Sequence, residues 1–353
     1  MKTVSIVGAR PQFIKGAILS GELEKLGEHI LINTGQHYDI NMAEIFFEEF
    51  RMKADYNLKI GSGSHGVQTA HMLEAVERLL ARIRPNVALV YGDTNTTLAG
   101  ALAAAKLRIP LAHVEAGLRS YNRMVPEEIN RVVSDHVSDI LFAPTEYAMK
   151  ILTAEGLDER AHMVGDVMIQ LMRRHMDKLS KKNLDRFGLQ PEEYIMCTLH
   201  SPENVDIKEN LVNILKGLTD SGKHIIFPIH PRTKRRIREF YLSRDVGKNI
   251  HVIDPVGYVD MLTLMKFSEM VITDSGGVQK EAFALKRPCV TARNETEWIE
   301  TVDAGWNTTV GTNPARIAKA LTTFRPKTRW KDVYSIPNPA ERICEILRIR
   351  VRA

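Results

Sequence analysis

Short apolar runs alternate along the chain with polar or glycine-containing turns and longer amphipathic stretches. Ten runs predict strands: Thr3–Val7, Glu28–Asn33, Val87–Tyr91, Leu111–Val114, Ile140–Ala143, Tyr194–Leu199, His224–Ile229, Ile250–Ile253, Met270–Thr273 and Cys289–Ala292. They are rich in Val, Ile and Leu with little polar alternation, the pattern of strands covered by helices on both faces. Helical stretches such as Val67–Ile83 and Thr94–Lys106 lie between them. Strand and helix in alternation predict an α/β protein with doubly wound parallel sheets.

Ten such strands are too many for one compact sheet of this kind. A polar, basic stretch from Arg173 to Asn183 precedes a new strand at Tyr194 and marks a break. We expect one Rossmann-like domain over 1–167 and a second over 168–336. In the tail, Ile343, Ile346 and Leu347 recur at helical spacing, and Arg348, Arg350 and Arg352 suit the negative end of a helix dipole. Residue spacing alone leaves open which domain that helix packs on.

Composition narrows the class. The 353 residues are 44% hydrophobic and 26% charged, which excludes disordered and fibrous chains. No apolar run approaches the roughly 18 residues of a membrane span. The start, Met1-Lys2-Thr3-Val4, runs straight into a strand ended by Gly8, so no signal peptide is expected. Cys197, Cys289 and Cys344 offer neither a disulfide framework nor a zinc site. These features predict a reduced, soluble, cytoplasmic protein with no metal. The net charge of +5 suits a small anionic substrate, without the basic stripe of a nucleic-acid binder. The densest basic run, Arg232 to Arg238, reads as a solvated helix face.

Ligands of open α/β sheets bind beyond the carboxyl ends of the strands, so the residues there matter most. Gly8-Ala9-Arg10-Pro11-Gln12 and Lys15 follow the first strand, and Gly92-Asp93-Thr94 follows the third. Glu115-Ala116-Gly117-Leu118-Arg119 follows the fourth. Further on come His200-Ser201, His230-Pro231-Arg232 and Asp274-Ser275-Gly276-Gly277. Ionisable residues on the same edge in both halves suggest a cleft with chemistry in it. Gly276 and Gly277 at a helix start suit a phosphate, and Glu281 one turn in suits sugar hydroxyls. Arg10 and Lys15 can set positive charge over a diphosphate. Simpler roles stand beside these: Asp93 as a helix cap, Glu115 paired with Arg119, Glu127 complementing a helix dipole, and His200 as a structural histidine. Gly61-Ser62-Gly63-Ser64-His65-Gly66 matches the literal dinucleotide pattern, but the strand before it (Tyr56–Ile60) is weak and the next strand-end acid, Asp93, comes later than the expected roughly 20 residues.

Taken in order, these segments resemble the non-hydrolysing UDP-N-acetylglucosamine 2-epimerases. The match adds Thr34-Gly35-Gln36-His37, Pro126-Glu127-Glu128-Ile129-Asn130-Arg131 and Val278-Gln279, and it spans nearly the whole chain. The resemblance implies a glycosyltransferase-B-like fold of two Rossmann-like domains, with a C-terminal helix at about 337–353 returning to the first. It also implies a homodimer with a UDP-sugar as substrate and no redox cofactor, nucleic acid or membrane. Asp93, Glu115 and Glu127 then become acid/base and charge-stabilising carboxylates, assisted by His200. Arg10, Lys15, Arg131 and Arg232 face the substrate, Ser275, Gly276 and Gly277 hold phosphate, Glu281 holds ribose, and the Val256-Gly257-Tyr258 turn meets uracil. The opening Gly8-Ala9-Arg10-Pro11-Gln12 resembles the branch acting on UDP-2,3-diacetamido-2,3-dideoxyglucuronate. Ser201 and Trp298-Ile299-Glu300 depart from the commonest pattern near the expected sugar contacts. Tyr38, Asp39 and His71 depart from the activator site of some bacterial members. A hydrolysing epimerase, a glycosyltransferase of the same architecture and a non-catalytic nucleotide-sugar binder are the competing readings.

Overall fold

All ten predicted strands form, and three short ones join them at sheet edges. The computed structural model of the chain describes residues 1–36, 49–50 and 52–351. His37, Tyr38 and Asp39 lie outside the described residues. The first sheet contains β1 (Thr3–Val7), β2 (His29–Asn33), β3 (Tyr56–Asn57), β4 (Val87–Tyr91), β5 (Leu111–Val114), β6 (Ile140–Ala143) and β7 (Ala161–Met163). Its order is β3-β2-β1-β4-β5-β6-β7, with every pairing parallel. The second contains β8 (Ile195–Thr198), β9 (Ile225–Pro228), β10 (Ile250–Ile253), β11 (Met270–Thr273), β12 (Cys289–Thr291) and β13 (Asn307–Thr309), in the order β10-β9-β8-β11-β12-β13, again parallel. Of the three short strands, β7 and β13 are missing from the sequence reading and β3 is read there only as a weak strand at Tyr56–Ile60; all three are edges. An edge strand pairs on one side only and can be short and polar, so it leaves no apolar run to read.

In each sheet the chain starts in the middle, adds two strands outward, then crosses back. This puts the topological switch between β1 and β4 in one sheet and between β8 and β11 in the other. Crevices for ligands open at the carboxyl ends of such strand pairs.

The chain divides into two compact units, Met1–Leu171 with Tyr334–Ala353, and Met172–Val333. The core of the first gathers Val4, Ile6, Ile32, Val76, Leu80, Ala88, Val90 and Leu111. That of the second gathers Ile195, Leu211, Leu215, Phe227, Ile272, Val290 and Leu321. The tail helix Pro339–Arg350 belongs to the first unit, burying Ile343 and Leu347. Gln170 holds its start, accepting from the Ala340 amide (2.8 Å) and donating to Glu341 (2.7 Å). No helix among the described residues is long and apolar enough to cross a membrane.

Four helices position the site in the first unit: α1 (Arg10–Glu24), α2 (His65–Ile83), α3 (Asn95–Lys106) and α4 (Pro126–Val137). The β1–α1 turn is tight. A Cβ on Gly8 would lie 2.1 Å from Thr34 Oγ1 and 2.3 Å from Thr96 Oγ1, so only glycine fits. Gln12 caps α1 in place of Ala9. Its Oε1 accepts from the amides of Gly8 (2.8 Å) and Ala9 (3.1 Å), and its Nε2 donates to the Tyr91 carbonyl and Thr97 Oγ1, both at 2.9 Å.

Candidate active site

The carboxyl ends of β4 and β5, with the start of α4, carry the three carboxylates of interest in the first unit. Gly92 turns the chain after β4 with φ +61°. A Cβ there would sit 3.1 Å from Lys15 Nζ and 3.4 Å from Glu115 Oε1, so the turn is glycine both for its backbone and for the ion pair against it. That pair, Lys15 with Glu115, is nearly buried, with side chains 4% and 10% exposed. Sequence reasoning sets Lys15 over a diphosphate and Glu115 beside Arg119. In the structure Lys15 turns inward onto Glu115, and Arg119 pairs instead with Asp135 (2.7 Å) and Glu155 (2.6 Å). Glu115 also has φ +74°, a conformation that costs a non-glycine residue about 1–3 kcal/mol and clusters at functional sites.

Asp93 is not the cap of α3. Thr94 takes that place and Thr97 Oγ1 accepts from the Thr94 amide at 3.1 Å, so the Asp93 carboxylate is left to pair with Arg131 at 2.5 Å. Asn130 Nδ2 donates to the Asp93 carbonyl at 2.9 Å. Glu127, in the first turn of α4, is half-buried. Burial, and then the negative charge of Asp93, push its carboxyl above the usual range. A carboxyl raised in this way, beside the ion-paired Asp93, suits a proton donor.

The adjacent Glu128 does something else. Its oxygens accept from the amides of Ser120 (2.9 Å) and Tyr121 (2.8 Å), from Ser120 Oγ (3.0 Å) and from Arg131 (3.1 Å). It pins the loop ahead of α4. Asp135, fully buried two turns further on, takes His113 Nδ1 (2.7 Å), the Gly117 amide (3.1 Å) and Arg119 (2.7 Å). Sequence reasoning missed Glu128, Asp135 and His113. The spacing Glu128, Arg131, Asp135 on one helix face was the available signal.

The second unit assembles a different chemistry. Asp274 is buried at the end of β11 and reaches across the switch point. It accepts from the amides of His200 and Ser201 (both 3.0 Å) and from Asn204 (3.1 Å). Burial raises its carboxyl above the usual range, partly offset by those bonds. His200 is thereby fixed at the end of β8, its Nδ1 3.5 Å from Asp274 and its ring stacked 5.4 Å from His230. Ser275, Gly276 and Gly277 are partly exposed where the helix Gly276–Ala284 begins, in the arrangement that holds anions. A Cβ on Gly276 would lie 2.5 Å from Glu297 Oε1 and 2.7 Å from Trp298 Nε1. Trp298 itself is buried, with Lys280 Nζ 4.1 Å from its ring centre. Glu281 is buried in the same helix and accepts from Tyr258 OH at 2.8 Å. The Tyr258 ring is only 3% exposed, so what it presents is an oriented Glu281. Arg232 makes a two-pronged pair with Asp206 at 3.1 and 2.6 Å, and Arg236 joins it at 2.8 Å. The basic run is therefore partly neutralised rather than simply solvated. Arg10 is the first residue of α1, half-buried at the end of β1.

The family model described as UDP-N-acetylglucosamine 2-epimerase matches residues 22–348. The chain belongs to this family. A Methanococcus maripaludis UDP-N-acetylglucosamine 2-epimerase homolog is 49% identical over 99% of both chains. The UDP-2,3-diacetamido-2,3-dideoxy-D-glucuronate 2-epimerase of Pseudomonas aeruginosa is 44% identical over 98% of this chain and 99% of its own. The crystal structure of the Methanocaldococcus jannaschii UDP-GlcNAc 2-epimerase in complex with UDP-GlcNAc and UDP superposes with a TM-score of 0.94 at 45% identity, covering 99% of this chain and 100% of that one. This epimerase-family chain is thus an isomerase with two doubly wound parallel sheets. The branch-type residue Gln12 is 1% exposed and spends both ends of its amide inside the first unit. It supports the β1–α1 turn from within.

Proposed function

We propose that the enzyme inverts C2 of UDP-N-acetylglucosamine by eliminating and re-adding UDP, with Glu127 as the group that returns a proton to C2. The C2–H is not acidic in the resting sugar. It becomes so as the C1–O bond breaks and the ring gains oxocarbenium character. An ion-paired carboxylate, Asp93 or Glu115, takes the proton from one face. The electron pair of the broken C2–H bond forms the C1=C2 double bond, and UDP leaves with the C1–O electrons. A proton from Glu127 then reaches C2 from the other face while a phosphate oxygen of UDP closes the bond to C1. The carboxylates have exchanged protonation states and are reset from water.

The observation that carries this reading is the placement of Glu127, half-buried beside Asp93 with its carboxyl pushed above the usual range, together with the ion-paired Asp93 and Glu115 at the ends of adjacent strands. The same reading assigns UDP to Ser275, Gly276, Gly277 and Glu281, with Arg10 and His200 toward the diphosphate and sugar. The family relationship supports a homodimer working in the cytoplasm and feeding cell-envelope polysaccharide synthesis. The Pseudomonas relative favours a second substrate, the 2,3-diacetamido glucuronate, and a panel of UDP-sugars decides between them.

Asp93→Asn, Glu115→Gln and Glu127→Gln should each cut turnover by about two orders of magnitude or more, a usual acid/base contribution. Near-normal epimerisation by all three variants would end the assignment.

A further inference from the structure

The three carboxylates sit on three separate segments: the turn after β4, the turn after β5, and the first turn of α4. Two of those segments hold positive φ, at Gly92 (+61°) and Glu115 (+74°). At Glu115, which is not glycine, that conformation is strained and something must hold it there. We propose that Asp135 and His113 are positioning residues for proton transfer, one buried carboxylate tying all three segments together. The proposal rests on the role given above to Asp93, Glu115 and Glu127.

Asp135 lies on α4, the helix that carries Glu127. Its Oδ2 accepts from the Gly117 amide at 3.1 Å, two residues beyond Glu115. Its Oδ1 faces His113 Nδ1 at 2.7 Å, and His113 Nε2 faces the Gly92 carbonyl at 2.7 Å, one residue before Asp93. A carbonyl oxygen can only accept, and so can an ionised carboxylate. Burial opposes the Asp135 charge, but the bonds from His113 and Arg119 outweigh it and hold the carboxyl below its usual range. His113 Nε2 therefore donates to the Gly92 carbonyl, and the hydrogen bond between Nδ1 and Oδ1 ties the same ring to Asp135. Arg119 completes the cluster, donating to Asp135 Oδ2 at 2.7 Å and clasping Glu155 with two further bonds. His113 and Asp135 are both 0% exposed, so neither can touch a substrate. Their effect passes through the backbone they grip.

The test compares steady-state epimerisation, UDP affinity by calorimetry and thermal melting for two variants. His113→Phe keeps a ring but loses the donor to Gly92. A misplacement of about 1 Å costs on the order of 10²-fold, so its kcat should fall about 10- to 100-fold, with KM and UDP affinity nearly unchanged. Asp135→Asn can still accept from Gly117 and Arg119 and can donate to His113 Nδ1, so it should lose much less. Nitrogen-labelled wild-type protein should show a protected ring proton on His113 Nε2, donated to the Gly92 carbonyl. A folded His113→Phe with wild-type kcat overturns the proposal. A His113 Nε2 that carries no proton in the wild type overturns it too, whether or not the phenylalanine variant folds. A wild type that epimerises no UDP-sugar would sink the functional reading instead, and would leave the Nε2 proton signal untouched.

Discussion

Glu127 and Glu128 are neighbours in sequence with different work. Glu128 accepts four hydrogen bonds and is 3% exposed, while Glu127 is half-buried beside Asp93. The sequence Pro126-Glu127-Glu128 cannot say which glutamate is which, because the difference lies in partners brought from elsewhere. The same is true of Lys15 and Glu115, which are 100 positions apart. The strand-end placement of Asp93 and Glu115 was legible; what each pairs with was not. The raised carboxyl of Glu127 has a thermodynamic consequence. The native state binds a proton that the unfolded chain has released, so this stabilisation is complete below the ordinary glutamate value of 4.5 and is lost as pH rises through the native value. In urea melts across that range, Glu127→Gln should therefore gain stability relative to wild type as pH rises. A difference that does not change with pH would contradict the assignment of a retained proton.

At the scale of elements, parallel strands buried on both faces announce themselves as unbroken apolar runs, and all ten such runs became strands. The edge strands β3, β7 and β13 did not, because a half-paired strand such as Asn307-Thr308-Thr309 carries no hydrophobic signature. The β1–α1 turn shows the opposite case. Its glycine was visible, but the reason for Gln12 was not, since it bonds to Tyr91 and Thr97 some 79 and 85 positions away. Removing that amide strands the buried amides of Gly8 and Ala9. Gln12→Ala should cost about 1–3 kcal/mol in denaturant unfolding, with UDP affinity unaltered. A loss of UDP binding without a loss of stability would instead make Gln12 a ligand contact.

For the whole molecule, the two units bring unlike chemistry: paired carboxylates and bases in one, a helix start with two glycines and an oriented Glu281 in the other. Binding and proton transfer should therefore be separable by mutation. Gly276→Ala, whose Cβ would press on Glu297 and Trp298, should weaken UDP binding at least tenfold by calorimetry, on the scale of about 1.4 kcal/mol. Asp93→Asn should bind UDP as the wild type does and fail to turn over. The decisive observation is the fate of the hydrogen on the inverted carbon. Incubated with UDP-N-acetylglucosamine in heavy water and followed by proton NMR, the enzyme should yield the 2-epimer with deuterium at C2 and no build-up of free sugar. An epimer that keeps its original hydrogen, or a substrate left unchanged, would contradict proton exchange through these carboxylates.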